Sequence, residues 1–416
     1  MTIAQSETTE TDSPKDSGFY SGITIEGFRQ FKKLELTNLG KVNLILGPNN
    51  AGKTSILEAI YIHACHGDIR LIFDNLLLSR ISQTRNISGF LEVGEQIISL
   101  FNQKKISDSN NYQFTITREI LSDLDKKKDV FQVSKCVFQA SKELNKLYPH
   151  SLHHYAHQAQ DGYTYNENIN SNKIDLGKWL MPRDIHSRMW FHEADVFLNL
   201  SKFTIEVIYT KGTLELPQSK GIFHDILAHR EPQATVAIFS HLKRYRLLEK
   251  FTQEMSMIFP IIKQIDTIPY PDGSFSPIYI INSKDELLPI YNFGDGMRRW
   301  FHLLGNLMIY PNSVHLIEEI DATFHPNAQE KFGHLLVEYA DKFNNQLFMT
   351  SHNLEFADKF LESLYGEEGT ITEDQDDPVR VITIGQSRDD PEKTTVWNLT
   401  GRQAHRGRKL YNVELR

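Results

Sequence analysis

Short apolar runs open the chain after residue 20. Gly22 to Phe28 and Leu34 to Leu46 are both predicted as strands, and Ser55-Ile56-Leu57-Glu58-Ala59-Ile60 as a helix. Ile69 to Leu78 also reads as helical. Period-two alternation returns in Phe90 to Val93, Ile97 to Phe101 and Phe114 to Ile116, which predicts an antiparallel β-layer. From Ser141 to Arg188 the pattern weakens and the composition turns polar. Phe203 to Tyr209 again predicts a strand. Between 233 and 258, Val236, Phe239, Leu242, Leu247, Leu248, Phe251, Met255 and Ile258 recur at helical spacing, predicting an amphipathic helix. Pro260, Pro269, Pro271 and Gly273 then punctuate a return to short strands such as Ile278 to Ile281.

Composition narrows the class. Hydrophobic residues at 40% and charged ones at 24% over 416 residues fit a globular protein of two or three domains, or one large domain with insertions. Residues 1–20 lack apolar periodicity and are expected to be a disordered tail. No apolar stretch approaches the ~20 residues of a transmembrane helix and no signal peptide is recognised, so no membrane partner and a cytoplasmic location are expected. Cys65 and Cys136 are too few for a disulfide framework or a thiolate zinc site. A net charge of −8 excludes whole-surface attraction to DNA but not a local basic groove. The mixed-charge run Asp123 to Asp129 reads as a solvated face.

The chemistry starts at Gly47-Pro48-Asn49-Asn50-Ala51-Gly52-Lys53-Thr54, which lies between a predicted strand and a predicted helix. Strand, glycine loop and helix in that order make a phosphate-binding P-loop. Its backbone N–H groups and the helix N-terminus would face the phosphates of a nucleoside triphosphate. Asn49, Asn50, Ala51, Gly52, Lys53, Thr54 and Ser55 are the expected nucleotide-binding residues. Lys53 would reach the β- and γ-phosphates, and the Thr54 hydroxyl would take one Mg²⁺ position.

A second block lies downstream. Val314-His315-Leu316-Ile317 is an apolar run ending in Glu318-Glu319, the pattern of a Walker B element. Its first carboxylate serves Mg²⁺, and the next can polarise the attacking water. Asn292-Phe293-Gly294-Asp295-Gly296 opens a predicted helix that ends near Pro311, and Gln346 to Ser351 is a short strand followed by His352.

The order P-loop, Gly294-Asp295-Gly296, Glu318-Glu319, Asp321 to Pro326 and Thr350-Ser351-His352 resembles the ABC-type ATPases of the OLD (overcoming lysogenization defect) and RecF/SMC-like group. More narrowly, the chain resembles prokaryotic AAA-type ATPases that share the opening Ile25-Glu26-Gly27-Phe28-Arg29-Gln30-Phe31. The resemblance covers about residues 21–65 and 265–360. It implies an α/β fold: an ABC-type P-loop ATPase head, with a mixed β-sheet flanked by helices, an antiparallel β-layer and a largely helical insertion. The expected divisions are a tail at 1–20, an ATPase lobe at 21–135, a mostly helical insertion or arm at 136–265, and a second ATPase lobe at 266–416.

The resemblance also implies roles. Lys53, Glu319 and His352 become catalytic, Glu319 as general base and His352 as the switch that senses the γ-phosphate. Thr54 and Glu318 become metal ligands, and ATP and Mg²⁺ the cofactors. Gly294, Asp295 and Gly296 become the signature motif that contacts ATP held on a second subunit, and Asp321 begins the D-loop. The expected unit is therefore a homodimer, or a higher oligomer, closed around ATP. Glu318 stands where many relatives have Asp. Phe293-Gly294-Asp295-Gly296 stands where transporters have Leu-Ser-Gly-Gly, so Asp295 brings a charge of the wrong sign for phosphate. Arg298 or Arg299 would compensate it, or Asn292 would supply a neutral donor. For the Q-loop glutamine, Gln83, Gln96 and Gln113 are candidates.

Three further groups lie outside these motifs. His150, His153, His154 and His157 would share a helix face, and fit a solvated segment, a partner- or nucleic-acid-contacting loop, or a transition-metal site. Lys243-Arg244-Tyr245-Arg246, in the predicted amphipathic helix, fits either a solvated face or phosphate-backbone contact. Arg402 to Lys409 is a basic run before an ordered end at Leu410 to Arg416. Glu373, Asp374, Asp376 and Asp377 lack a preceding apolar strand and read as solvated rather than as a Toprim-type metal site, so no nuclease is expected here. The resemblance instead suggests a separate effector, a nuclease or toxin in anti-phage defence. DNA gripped across the dimer, or an ATP-bound assembly platform with negligible turnover, are the alternatives.

Overall fold

A computed structural model describes residues 19–65, 112–119, 134–140, 173–185, 188–199, 204–211, 221–268, 277–324, 326–367, 369, 371, 376–386 and 394–411. In chain order it runs β1 (Gly22–Phe28), β2 (Phe31–Leu36), β3 (Val42–Leu46) and α1 (Lys53–Ala64). Next come β4 (Tyr112–Glu119), β5 (Ser134–Ala140), β6 (Lys173–Ile185), β7 (Arg188–Asn199), β8 (Thr204–Lys211) and β9 (Gly221–His224). Then follow α2 (Pro232–Arg244), α3 (Leu248–Ile258), β10 (Ile262–Thr267), β11 (Ile278–Asn282), β12 (Leu287–Pro289) and α4 (Asp295–Ile309). The chain closes with β13 (Val314–Ile317), α5 (Pro326–Lys342), β14 (Gln346–Ser351), α6 (Leu354–Tyr365), β15 (Val379–Gln386), β16 (Thr394–Thr400) and α7 (Gly401–Tyr411).

The central sheet has the order β16-β15-β3-β14-β13-β9, parallel except for the antiparallel edge strand β16. β3 sits inside it with every residue buried, because both faces of a parallel sheet are covered. Val42, Leu44 and Leu46 face a core shared with α2 to α6, where Trp300, Phe301, Leu304 and Leu307 of α4 are fully buried. The pleat turns Ile45 to the opposite face, on the side where α1 packs against β9, β13 and β14. Buried Asn43 is satisfied by Gly40 and by the Leu347 carbonyl, which ties β3 to β14.

A second sheet, β2-β1-β4-β5, is antiparallel. Its β1–β2 turn is fixed to the first helix by an ion pair between Arg29 and the buried Glu58. Two further antiparallel sheets are β6-β7-β8 and β10-β11-β12. The α/β head with a mixed sheet, flanking helices and antiparallel layers is as expected.

Several boundaries differ. The expected run Leu34 to Leu46 is two strands separated by a turn, with Asn38 at φ 53. The β-layer extends through β5, beyond residue 135. The 136–265 segment, expected to be mostly helical, carries more strand than helix among its described residues. Gly177 and Pro182 interrupt the apolar alternation of β6 and leave it without a clean period. The amphipathic helix is broken into α2 and α3 by Arg246 at φ 58. Tyr245 and Arg246 of the basic segment therefore lie in the break, not in a helix. Ile69 to Leu78, Phe90 to Phe101 and the His150–His157 cluster lie outside the described residues.

The C-terminal basic run is not a bare solvated surface. Arg408 donates two hydrogen bonds to Asp358 at 2.7 and 2.6 Å, and His405 meets Glu362 at 2.7 Å, docking α7 on α6. Asp377 is likewise structural rather than merely solvated: it accepts hydrogen bonds from the Tyr365 hydroxyl, Val379 N–H and Arg402 N–H. Glu373 and Asp374 lie outside the described residues.

β9 and β13 carry a buried histidine pair. His224 Nε2 lies 2.9 Å from His315 Nδ1, with the rings stacked. His302 on α4 meets the Thr235 hydroxyl at 2.8 Å. Burial depresses all three rings below the usual imidazole range, His315 to about 4 and His302 to about 3. The unfolded chain therefore takes up protons on these residues below about pH 6.5 while the folded chain resists. Their stabilising contribution is complete above that pH and is lost as pH falls toward 4. Thermal melts should show unfolding stability dropping between pH 7 and 5, by up to about 1.4 kcal/mol per pH unit for each histidine. A His302→Gln variant should show a flatter profile.

Candidate nucleotide site

The carboxyl end of β3 enters the loop 47–52, and α1 begins at Lys53. Gly52 caps the helix at φ 96, and a Cβ there would lie 2.3 Å from Gln30 Nε2 and 2.5 Å from Phe31 Cζ. Only glycine fits, so the β1–β2 turn sets the shape of the loop from outside. The Lys53 ammonium donates to the carbonyls of Gly47 at 2.7 Å and Pro48 at 2.9 Å. Burial lowers its pKa, while the charges of Glu319 and Asp321 oppose that shift. Asn49 and Asn50 are exposed at the loop tip, Ala51 is buried, and the Ser55 hydroxyl donates to Gln30 at 3.2 Å.

β14 lies between β3 and β13, so the acid-bearing end of β13 stands two strands from the P-loop. Thr54 Oγ1 donates to Glu318 Oε1 at 2.7 Å. A hydroxyl and a carboxylate this close are hard oxygen donors of the kind Mg²⁺ takes, so these two residues fit the ion expected here. Glu319 has φ 42, and its N–H donates to Thr350 Oγ1 at 2.9 Å. His352 Nδ1 lies 3.9 Å from Glu319 Oε1, with both side chains partly exposed. Asp321 is buried, and its Oδ1 has no hydrogen-bond partner among the described residues.

The turn after β13 is held by Arg299 of α4. Its guanidinium donates to the carbonyls of Glu318 at 2.5 Å, Glu319 at 2.8 Å and Ala322 at 2.8 Å. Burial lowers its pKa to about 10, opposed by Asp321, Glu319, Asp225 and Glu318, so it stays charged at neutral pH. Arg299 is therefore committed to its own chain and does not compensate Asp295, one of the options the sequence left open.

At the start of α4, Gly296 packs so closely that a Cβ would sit 2.9 Å from the Thr323 carbonyl, whereas Gly294 is exposed with open space around it. Asp295 pairs with Arg298 and, at 2.7 Å, with Arg230, and His229 Nε2 lies 3.7 Å away. The Arg230 hydrogen bond, with those of Arg298, holds the Asp295 carboxyl below the usual carboxylate range. The negative charge that looked wrong for phosphate is thus neutralised within the chain. Asn292 is exposed beside this start.

The structure brings Thr54, Glu318, Glu319, His352 and Lys53 to one end of the sheet. Gly296 packs against Thr323 on the Walker B side of its own chain, Asp295 pairs with Arg230 and Arg298, and among the described residues no hydrogen bond or ion pair joins Gly294, Asp295 or Gly296 to the P-loop. Gln113 lies on β4, in another sheet, and Gln83 and Gln96 lie outside the described residues. The position flanking Walker B is instead the end of β9, where His224 accepts the Glu318 N–H at 3.1 Å and Asp225 follows. Sequence reasoning missed β9, Asp225 and Arg230, because a four-residue strand offers too little periodicity.

A P-loop strand, a Walker B strand and a histidine-ended strand between them define a P-loop ATPase head of the ABC type. The chain belongs to the AAA ATPase domain family, which matches residues 21–357. It is 21% identical over 351 residues to an ATP/GTP phosphatase of Helicobacter pylori, spanning 80% of this chain and 85% of that protein. It is 37% identical over 82 residues to the DNA replication and repair protein RecF of Bacillus cereus, covering 20% of this chain and 22% of RecF. Among solved structures, an SMC head bound to the C-terminal winged-helix domain of ScpA aligns with a TM-score of 0.46 and 13% identity, covering 93% of this chain and 99% of that one. The AAA-type ATPase side of the resemblance is thereby met over residues 21–357, while the RecF likeness is confined to 82 residues. The OLD group is not singled out.

Arg299→Leu should lower the melting temperature, because three partly buried carbonyls lose their donor, at up to about 1–3 kcal/mol for each group left unsatisfied. It should also abolish the further thermal stabilisation that Mg²⁺ and ATP give the wild type. An unchanged ligand-induced shift would show that the Walker B turn holds its shape without this guanidinium.

Proposed function

We propose that this protein hydrolyses ATP as a homodimer, each nucleotide lying between the P-loop of one subunit and the Gly294–Gly296 helix start of the other. The observation that carries the hydrolysis reading is the 2.7 Å hydrogen bond between Thr54 and Glu318, with Glu319 and His352 beside it. Lys53 exchanges its loop carbonyls for phosphate oxygens. Thr54 and Glu318 would hold Mg²⁺, which would supply neutralisation of phosphate charge when bound. Glu319 takes a proton from water as the water oxygen attacks the γ-phosphorus. The bond from that phosphorus to the bridging oxygen breaks, leaving ADP and inorganic phosphate. His352, held near Glu319, contacts the γ-phosphate and registers its loss. The support for the dimer is the family resemblance together with the exposed, open Gly294.

The ATP state of this dimer is coupled to a separate effector, a nuclease or toxin, in prokaryotic anti-phage defence; the support is the family resemblance. Among the described residues no helix is long and apolar enough to cross a membrane. The alternative is a DNA-repair ATPase, favoured by the RecF likeness over 82 residues. DNA-stimulated hydrolysis that weakens steeply with salt identifies that alternative, and copurification of a stoichiometric second protein identifies the effector reading.

Glu319→Gln protein with saturating Mg²⁺ and ATP should sediment as a dimer and release phosphate at least about a hundredfold more slowly than wild type. A monomer under those conditions rules out the ATP-closed dimer. Negligible phosphate release by the wild type would make the protein an assembly platform rather than a hydrolase.

A further inference from the structure

We propose that Arg230 acts in trans, placing its guanidinium on the γ-phosphate of ATP held by the second subunit; this rests on the ATP-closed dimer above. Arg230 follows β9 in the short helical turn Ala228 to Arg230, and its Nη2 donates to Asp295 Oδ2 at 2.7 Å. Its side chain is 55% exposed, while Arg298 is 17% exposed and also engages Asp295. Arg299 is buried on the carbonyls of the Walker B turn. Of the three arginines around the start of α4, Arg230 is the most exposed, and it is anchored on Asp295, the neighbour of Gly294 in the chain. Open space at Gly294 leaves room for a phosphate to approach this face.

Asp295 then has a positioning role. Its carboxylate bridges Arg230 and Arg298, so the phosphate meets a preformed cation instead of an exposed acid. His229, 1% exposed and 3.7 Å from the same carboxylate, backs the pair from inside. In hydrolysis no bond to Arg230 forms or breaks. The guanidinium stabilises charge that moves from the γ-phosphoryl oxygens to the leaving ADP, and binding and turnover on one subunit thereby depend on a residue of the other.

The test mixes two full-length variants. Arg230→Ala alone should lose about 10²-fold in turnover, as expected when one preorganised charge donor is removed, and Arg230→Lys should recover part of it. Lys53→Ala alone should be inactive. Mixed in equal amounts, they should regain up to about one quarter of wild-type turnover, because half the dimers are mixed and each keeps one intact site. No recovery on mixing, with Arg230→Ala still forming ATP-dependent dimers, would overturn the trans assignment. If Glu319→Gln and Arg230→Ala both remain monomeric in ATP, the dimer reading fails first, and the two failures are told apart by sedimentation. Wild-type turnover by Arg230→Ala also overturns the proposal.

Discussion

One buried guanidinium holds the catalytic end of this molecule together. Arg299 leaves the second turn of α4 and satisfies three backbone carbonyls of the turn that follows β13. That turn has Glu319 at φ 42 and Thr323 at φ 73, left-handed conformations that non-glycine residues adopt only where the surroundings hold them. The arginine, the Thr350 hydroxyl and the Gly296 contact to Thr323 supply that restraint. The helix that would address a partner's nucleotide and the acids that would serve the chain's own nucleotide are therefore one mechanical unit.

Electrostatics follow from the same arrangement. Glu318, Glu319, Asp321 and Asp225 act on a single buried cation, while Lys53 is desolvated under the P-loop and drawn toward Glu319 and Asp321. Thr54 meanwhile occupies Glu318 directly. Such a concentration of carboxylates disfavours a bare polyphosphate and favours one that arrives with its divalent cation. At the other end of the unit, Asp295 is paired with two arginines, so its carboxylate does not stand as an uncompensated negative charge.

The elements with strong local signals were legible in the sequence. β3, the P-loop helix, α4, β13 and β14 fall close to where their periodicity put them, because buried parallel strands are continuous apolar runs bounded by glycine or acids. Glu318, Glu319, Lys53, Thr54 and His352 were legible from order along the chain. Pairings that close only in three dimensions were not. Nothing local in Arg299 distinguishes it from Arg298, yet helix phase sends one onto the Walker B turn and the other, partly buried, onto Asp295. Arg230 lies 65 residues from Asp295, in a short helical turn that follows a strand too short to read. The strand-rich middle was misjudged because its proline and glycine broke the alternation that marks a sheet.

In the ATP-closed dimer, the P-loop of one copy is completed by the α4 start of another. The most direct measurement is cross-linking of a chain carrying Asn49→Cys mixed with one carrying Gly294→Cys, using a short bis-maleimide. Asn49 is exposed, and Gly294, at φ −61 with open space around it, tolerates a side chain. An ATP-closed dimer should give a dimer-sized product that appears with Mg²⁺ and ATP, needs both variants and fades as ATP is hydrolysed. Failure to cross-link in ATP, or a product equally abundant without nucleotide, would contradict it.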